Sequence, residues 1–470
     1  MSTPPPGPPP GPPLAGGIAG PDALRPLLAV VLDALHEGAV ARGGPFPAGG
    51  PDAVAARVRE AAEPVLPDRG TGAEDALRGL VRTLSHGAAD PADPLCVAHL
   101  HTSPLALAVA ADLAASALNP SMDSWDQAPA ASELEAVVCR ALAAEVYPHQ
   151  ADPDALVTTG GTESNQLGLL LARERHGAVQ VICGAAAHHS VHRAAWLLGL
   201  PEPVTVPTPS GVLDLAALDK ALADLPGPLL VAATAGTTGT GRIDPLPEIA
   251  DLCGRHGAEL HIDAAYGGPL LFSAEHRGKL AGLERAQSVT LDLHKLGWQP
   301  IAAGLLTVPD RALIAPLAIT ADYLNADDDT EAGLPDLLGR SLRTTRRPDI
   351  LKIAVTLRAL GRTGLGALVD RTCAAAQQLA DLVEEHPRLD LYERPVLSTV
   401  LFRPTGATDE QTAGVRRTLL ADGRAVLGRA RADGRLWLKA TLLNPHATPG
   451  DLAALIQEVL TELVKGGTPR

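Results

Sequence analysis

Two periodicities divide the chain. From Pro21 to about Leu80, apolar residues recur at helical spacing, as in PDALRPLLAVVLDALHEG and PDAVAARVREAAEPVL, which predicts amphipathic helices. A short irregular element, DPLCVAHLHTSP, then carries His99 and His101. Longer helical patterns follow in LALAVAADLAASALN and ASELEAVVCRALAAEVY. From Ala155 the pattern changes. Short aliphatic runs alternate with helical ones: ALVTTGG, VQVICGA, EPVTVPT, PLLVAATAG, AELHIDAA and QSVTLDLH. This alternation predicts a mainly parallel sheet covered by helices on both faces. Ligands of such sheets sit beyond the carboxyl ends of the strands, where the distinctive residues of this chain also fall. After about Arg346 a long helical pattern leads into a smaller α/β unit with VLSTVLFRP and RLWLKATLLNP.

Composition narrows the picture. With 470 residues, 46% of them hydrophobic, the chain can bury a large core in more than one domain. The formal net charge is -15 and no Lys/Arg cluster is visible, which argues against a nucleic-acid partner. Apolar stretches fall short of the roughly 20 residues of a membrane span, so no membrane association is expected. The five Cys are scattered, with no CxxC pair, as expected of reduced thiols in a cytoplasmic protein. MSTPPPGPPPGPPLAGG lacks the features of a signal peptide and reads as a disordered Pro/Gly tail.

Four motifs occupy strand ends. TTGGTESN places Gly160, Gly161 and Thr162 where a strand turns into a helix, with Glu163 in the first turn. Helix-start amides and glycines suit a phosphate, although a plain glycine turn has the same look, and no Gly-Lys-Ser/Thr makes it a nucleotide P-loop. AAAHHSVHRAAW carries His188, His189 and His192. No acidic or Cys residues share their spacing, so no metal site is expected; a strand-end His can instead stack on a flat ligand. ATAGTTGTGRIDP offers Thr237 and Thr238, and LHIDAAYGG offers Asp263 above the small Ala264 and Ala265. A carboxylate ending an apolar strand needs a cationic or proton-donating partner, or caps a helix.

The next apolar run, SVTLDLHKLGWQP, stops at His294–Lys295. Lysine is rarely buried unless it is paired or reactive. A phosphate cradle, a stacking His, a buried Asp, a small-residue floor and a strand-end Lys together suit pyridoxal 5'-phosphate. A desolvated lysine amine forms a Schiff base with its aldehyde, a carboxylate keeps the pyridine nitrogen protonated, and the ring becomes an electron sink.

In GGTESN, AHHSV, GTTGTG, HIDAAYGG and DLHK, in that order, the chain resembles the group II pyridoxal-phosphate-dependent amino-acid decarboxylases. The resemblance runs from about Pro94 to the last helix. It implies a fold-type I α/β enzyme. A large domain with a mainly parallel seven-stranded sheet would span 116–345, and a small C-terminal domain 346–470; a tail (1–20) and a helical segment (21–115) would precede them. By the same resemblance Lys295 is the Schiff-base lysine, Asp263 the partner of the pyridine nitrogen and His188 the ring-stacking His. Ala265 lies under the ring, Gly160, Gly161 and Thr162 form the phosphate turn, and Thr238 and His294 are further cofactor contacts. Tyr323, in ADYLN, matches a tyrosine on a mobile loop that closes over the neighbouring subunit's site and protonates Cα. Relatives with Phe there tend toward aldehyde formation. A homodimer with shared sites follows from the resemblance. Many relatives carry Asn where this chain has Asp292; Asp is familiar in the diaminobutyrate and siderophore branch.

LNPSMDSWDQAPAASELE also resembles that branch, which acts on basic amino acids. Asp123 or Asp126 is therefore expected to pair with a substrate ammonium, unless both serve the dimer interface. His99 and His101 are candidate pocket residues. The expected reaction is α-decarboxylation of a diamino acid such as L-2,4-diaminobutyrate to an amine. The alternatives are an aromatic or acidic substrate, or aldehyde synthesis or transamination on the same fold.

Overall fold

A computed structural model describes residues 11–319, 321, 324 and 327–466. Three helices come first: α1 (Gly20–Arg42), α2 (Gly50–Ala62) and α3 (Ala73–Gly87). They pack chiefly on one another. Helices α4 (Ala106–Leu118) and α5 (Pro129–Val146) lead to the large sheet.

Within the large sheet, β1 (Asp154–Thr158), α6 (Gly161–His176), β2 (Gln180–Gly184), α7 (Ser190–Leu197) and β3 (Val204–Val206) follow in order. Then come α8 (Leu215–Asp224), β4 (Leu229–Thr234), α9 (Leu246–His256), β5 (Glu259–Ala264), β6 (Ser288–Asp292) and β7 (Gly304–Val308). Their order in the sheet is β1-β7-β6-β5-β4-β2-β3, with β7 antiparallel to both its neighbours. The alternation of apolar runs supplies six of these strands. β7, the short GLLTV, is the one it does not single out; it follows β6 with no helix between them and so can only return antiparallel. Strands β4, β6 and β7 are buried along their whole length and β5 along all but its first residue, as strands covered on both faces must be.

Beyond a short helix, α10 (Asp327–Glu331), the helix α11 (Ile350–Glu384) links the two units and breaks its regular geometry at Gly361, where φ is 61°. The smaller unit is an antiparallel sheet of β8 (Leu389–Leu391), β9 (Thr399–Pro404), β10 (Gly428–Ala432) and β11 (Arg435–Thr441). It is covered by α12 (Asp409–Ala421) and α13 (Pro449–Gly466). Two cores result. One surrounds the large sheet; the other lies between the small sheet and α11–α13. The segment after β6 reaches the chain that follows β11: the buried Trp298 indole donates to the Leu443 carbonyl at 2.8 Å, and both residues belong to the core around the large sheet.

Candidate active site

The parallel strands bring their carboxyl ends to one edge, and there a cavity of about 380 Å³ opens. Gly160, Gly161 and Thr162 line it from the β1–α6 turn, His188 from the segment after β2, Thr238 from the loop after β4, and Asp263 and Ala265 from β5 and its end. Asp292, His294 and Lys295 line it from β6 and the residues beyond. All the cofactor-site residues expected from sequence therefore converge. Tyr323 lies outside the described residues.

At the end of β5 the carboxylate is firmly held. Asp263 is 6% exposed. One oxygen accepts from the Ala265 N–H at 3.1 Å and the other from Asn165 Nδ2 at 2.8 Å. The Asn165 amide also donates to Ser190 Oγ at 2.8 Å. Its oxygen takes the Thr290 hydroxyl at 2.7 Å and His261 Nε2 at 3.0 Å. His261 in turn meets Ser288 Oγ through Nδ1 at 2.7 Å. Every hydrogen-bonding atom of the Asn165 side chain is used, which assigns its orientation and makes His261 a neutral Nε2–H imidazole. Burial agrees, pushing the His261 pKa down to about 4.

His188 belongs to the same network. Its Nδ1 lies 2.8 Å from Ser190 Oγ, so the ring is held at one nitrogen. Burial lowers its pKa, and the nearby Asp263 charge opposes that shift. His192 instead pairs with Glu202 at 3.3 Å.

The β1–α6 turn is shaped for a close ligand. Gly160 has φ 154°, and a Cβ there would come 3.0 Å from His294; one on Gly161 would come 2.9 Å from Ala265. Any side chain would fill the space above the first amides of α6, which is where an anion is stabilised. At the β6 end, Lys295 Nζ meets Asp292 Oδ2 at 2.8 Å, and His294 Nε2 lies 3.5 Å from the same oxygen. Two buried atoms here have no partner among the described residues: Asp292 Oδ1 and His294 Nδ1. Burial lowers the His294 pKa, with Asp292 opposing.

The small unit braces two of the residues that line the cavity, Thr238 and Tyr266. Buried Lys439 of β11 donates to the Thr238 carbonyl at 3.0 Å, and the Tyr266 hydroxyl, beside Asp263, reaches Ser398 and Thr399 at 2.8 and 2.9 Å. Burial lowers the Lys439 pKa.

The four candidate substrate residues sit elsewhere. His99 and His101 are exposed, and Leu100 between them is the residue that lines the cavity. Asp123 is buried and accepts from Gln127 at 2.9 Å, while Asp126 accepts from Ser124 at 2.6 Å. None of the four is among the cavity's lining residues. The sequence reading gave no role to Asn165, Ser190 or Tyr266. Asn165 lay within a motif already singled out, four residues after Gly161 on the helix face turned to the sheet; that spacing was the available signal.

The residues fit pyridoxal phosphate: a glycine turn that a Cβ would fill, unpartnered buried polar atoms beside it, an anchored carboxylate and a lysine facing one cavity. The comparisons agree. Residues 56–405 match the pyridoxal-dependent decarboxylase conserved domain. The chain is 42% identical to an L-2,4-diaminobutyrate decarboxylase of Rhizobium meliloti (strain 1021), covering 85% of this chain and 84% of the relative. It is 33% identical to an L-2,4-diaminobutyrate decarboxylase of Acinetobacter baumannii, covering 84% of each. The fold is similar to the glutamate decarboxylase domain of a diaminobutyrate-pyruvate transaminase and L-2,4-diaminobutyrate decarboxylase from Vibrio parahaemolyticus. There the TM-score is 0.85 and the identity 31%, over 96% of this chain and 98% of that one. A match along three quarters of its length, on the very strands whose ends build the cavity, means that this chain belongs to the pyridoxal-phosphate-dependent amino-acid decarboxylase family.

Proposed function

We propose that this enzyme removes the α-carboxyl group of L-2,4-diaminobutyrate, releasing CO2 and a diamine. The reading rests on one observation: Lys295, Asp263, His188 and the Gly160–Thr162 turn face a single cavity, in a chain 42% identical to a relative that carries that activity in its name.

Pyridoxal phosphate, when bound, supplies the electron sink that makes loss of CO2 feasible. The chain supplies the rest. Lys295 would hold the cofactor through its side-chain amine. Asp263, fixed by Asn165 and the Ala265 amide, keeps a negative charge beside the ring nitrogen. The Gly160–Thr162 turn and the start of α6 would hold the phosphate, with Thr238 and His294 as further contacts. Ala265 would leave room for the ring, and His188, steadied by Ser190, would pack on it. Tyr323 returns a proton to Cα, a role His188 could fill through a water. A closed site strengthens each of these electrostatic contacts by excluding water.

We infer further that the enzyme works as a cytoplasmic homodimer with shared sites. Asp123, Asp126, His99 and His101 do not line the cavity of their own chain, so any contact they make with substrate is at the second copy's site. There Asp123 or Asp126 would pair with the substrate's side-chain ammonium. A charge-assisted hydrogen bond of that kind contributes about 1.5–3 kcal/mol.

The test is direct. The purified chain is given pyridoxal phosphate and a panel of diaminobutyrate, ornithine, lysine, aspartate, glutamate, tyrosine and tryptophan, and products are read by mass spectrometry. Loss of CO2 from diaminobutyrate in preference to the others is expected. Turnover of an aromatic or acidic substrate alone overturns the substrate assignment, and ammonia with aldehyde in place of amine overturns the reaction.

A further inference from the structure

Asp292 has chemistry that the proposed reaction leaves unused. It ends β6 with 1% of its surface exposed, directly beneath the glycine turn. Its Oδ2 lies 3.2 Å from where a Gly161 Cβ would stand, and Oδ1 3.7 Å from a Cβ on Gly160. Oδ2 accepts from Lys295, while Oδ1 is buried without a partner. A carboxylate therefore lines the pocket that the phosphate must enter. Two anions sharing one site repel, and one of them takes up a proton. The amine of Lys295, meanwhile, must shed a proton before it can attack an aldehyde.

We propose that Asp292 takes the ammonium proton of Lys295 as the cofactor binds and, as a neutral carboxylic acid, donates a hydrogen bond into the phosphate turn. One N–H bond of Lys295 breaks and one O–H bond of Asp292 forms across the 2.8 Å contact; the ion pair becomes an amine and an acid with no change in total charge. The inference rests on the cofactor site proposed above and deepens it: Asp292 becomes a positioning and proton-holding residue for cofactor capture. The surrounding groups are compatible. His294 lies 3.5 Å away on the loop after β6, with Lys352 of α11 acting on it in turn. The Gly160–Gly161 turn lies over Asp292, and the Thr290 methyl borders the same space, 3.5 Å from where a Gly161 Cβ would stand. Across the cavity stand Asp263 of β5, already bonded twice, and His188. Lys295 is thus the near cation that gives up its contact with Asp292 when it reacts, and Asp292 is the carboxylate left facing the phosphate.

The experiment measures pyridoxal phosphate affinity, by equilibrium dialysis and cofactor absorbance, on the cofactor-free full chain between about pH 6.5 and 8.5. Five proteins are compared: the natural chain, Asp292→Asn, Asp292→Ser, Lys295→Ala and the double variant of Asp292→Asn with Lys295→Ala. If Asp292 must carry a proton in the bound state, the ratio of the natural chain's Kd to that of Asp292→Asn rises about tenfold per pH unit, the slope for one proton. The same rise is expected between Lys295→Ala and the double variant, where covalent attachment plays no part. Asp292→Ser, a second neutral donor, should follow Asn. A ratio flat with pH in both backgrounds, or weaker binding by the Asn variant at every pH, overturns the proposal and leaves Asp292 as a permanent anion. Borohydride reduction separates the two readings. Covalent labelling that persists in Lys295→Ala sinks the site assignment itself, whereas a flat ratio with labelling confined to Lys295 sinks the proton transfer alone.

Discussion

The ends of β5 and β6 are neighbours in the sheet, and each presents a buried aspartate to the same cavity, yet they are built differently. At β5, Asp263 has both oxygens engaged, and its main support, Asn165, has no hydrogen-bonding atom to spare. At β6, Asp292 meets Lys295 at 2.8 Å and, more distantly, His294 through one oxygen, and its other oxygen has no partner among the described residues. A fully satisfied buried network is rigid, and its charge state is set in advance; a half-satisfied one is costly until a ligand completes it. The first arrangement suits a group that must stay ionised throughout a reaction. The second suits one that changes partner when the cofactor arrives.

The largest expected effect is at β6. Lys295→Ala should lower decarboxylation by at least about 1000-fold, the scale of losing the group that forms the covalent link. Its thermal midpoint should fall as well, because the buried Asp292 carboxylate loses the cation it meets at 2.8 Å. Steady-state kinetics and a melting curve check both halves; full activity in this variant would sink the assigned mechanism.

Next comes the β5 network. Asn165→Ala strips a bond from Asp263 and leaves His261, Thr290 and Ser190 short of a partner, so a loss of about 1–3 kcal/mol is expected in urea unfolding. Cofactor affinity should fall with it. An unchanged urea midpoint would mean that the two strand ends are not built as differently as their bonds imply.

A third region sharpens the comparison by lying outside it. Asp123→Asn should raise KM for diaminobutyrate by about tenfold, the low end of a charge-assisted bond, with a smaller effect on cofactor affinity. If cofactor affinity falls as much as KM rises, Asp123 acts on the fold of the site rather than on the substrate.

The smallest effect is a pH dependence specific to the β5 side. Burial lowers the His261 pKa from 6.5 to about 4, so the unfolded chain takes up this proton before the folded one does. The stability associated with neutral His261 is fully present above about pH 6.5 and is lost progressively as pH falls toward about 4. His261→Gln should flatten that part of the curve in melting experiments run across the window, and an identical slope in both proteins would show that other groups carry it.

Most of the cofactor cavity was legible in the sequence because a parallel sheet turns linear order into spatial convergence: residues that end successive strands meet at one edge. Gly160, His188, Asp263 and Lys295 could be read as a set for that reason, since their spacing follows the strand–helix repeat. Asn165 and Ser190 were not legible, because a hydrogen-bond network between a helix and two strands leaves no periodic trace. The antiparallel β7 was missed because a five-residue run without a preceding helix gives little pattern to read.

By itself the sequence determined the alternation of strands and helices, the identity of the strand-end residues and their resemblance to a decarboxylase family. These depend on local periodicity and on residue chemistry, both of which are written along the chain. Tertiary structure alone decided which atoms are satisfied: that Asn165 anchors Asp263, that Asp292 keeps one bare oxygen beneath the glycine turn, and that Leu100 lines the cavity where His99 and His101 do not. Hydrogen bonds of a few ångströms join residues nearly a hundred positions apart, and only the packed fold sets distances on that scale.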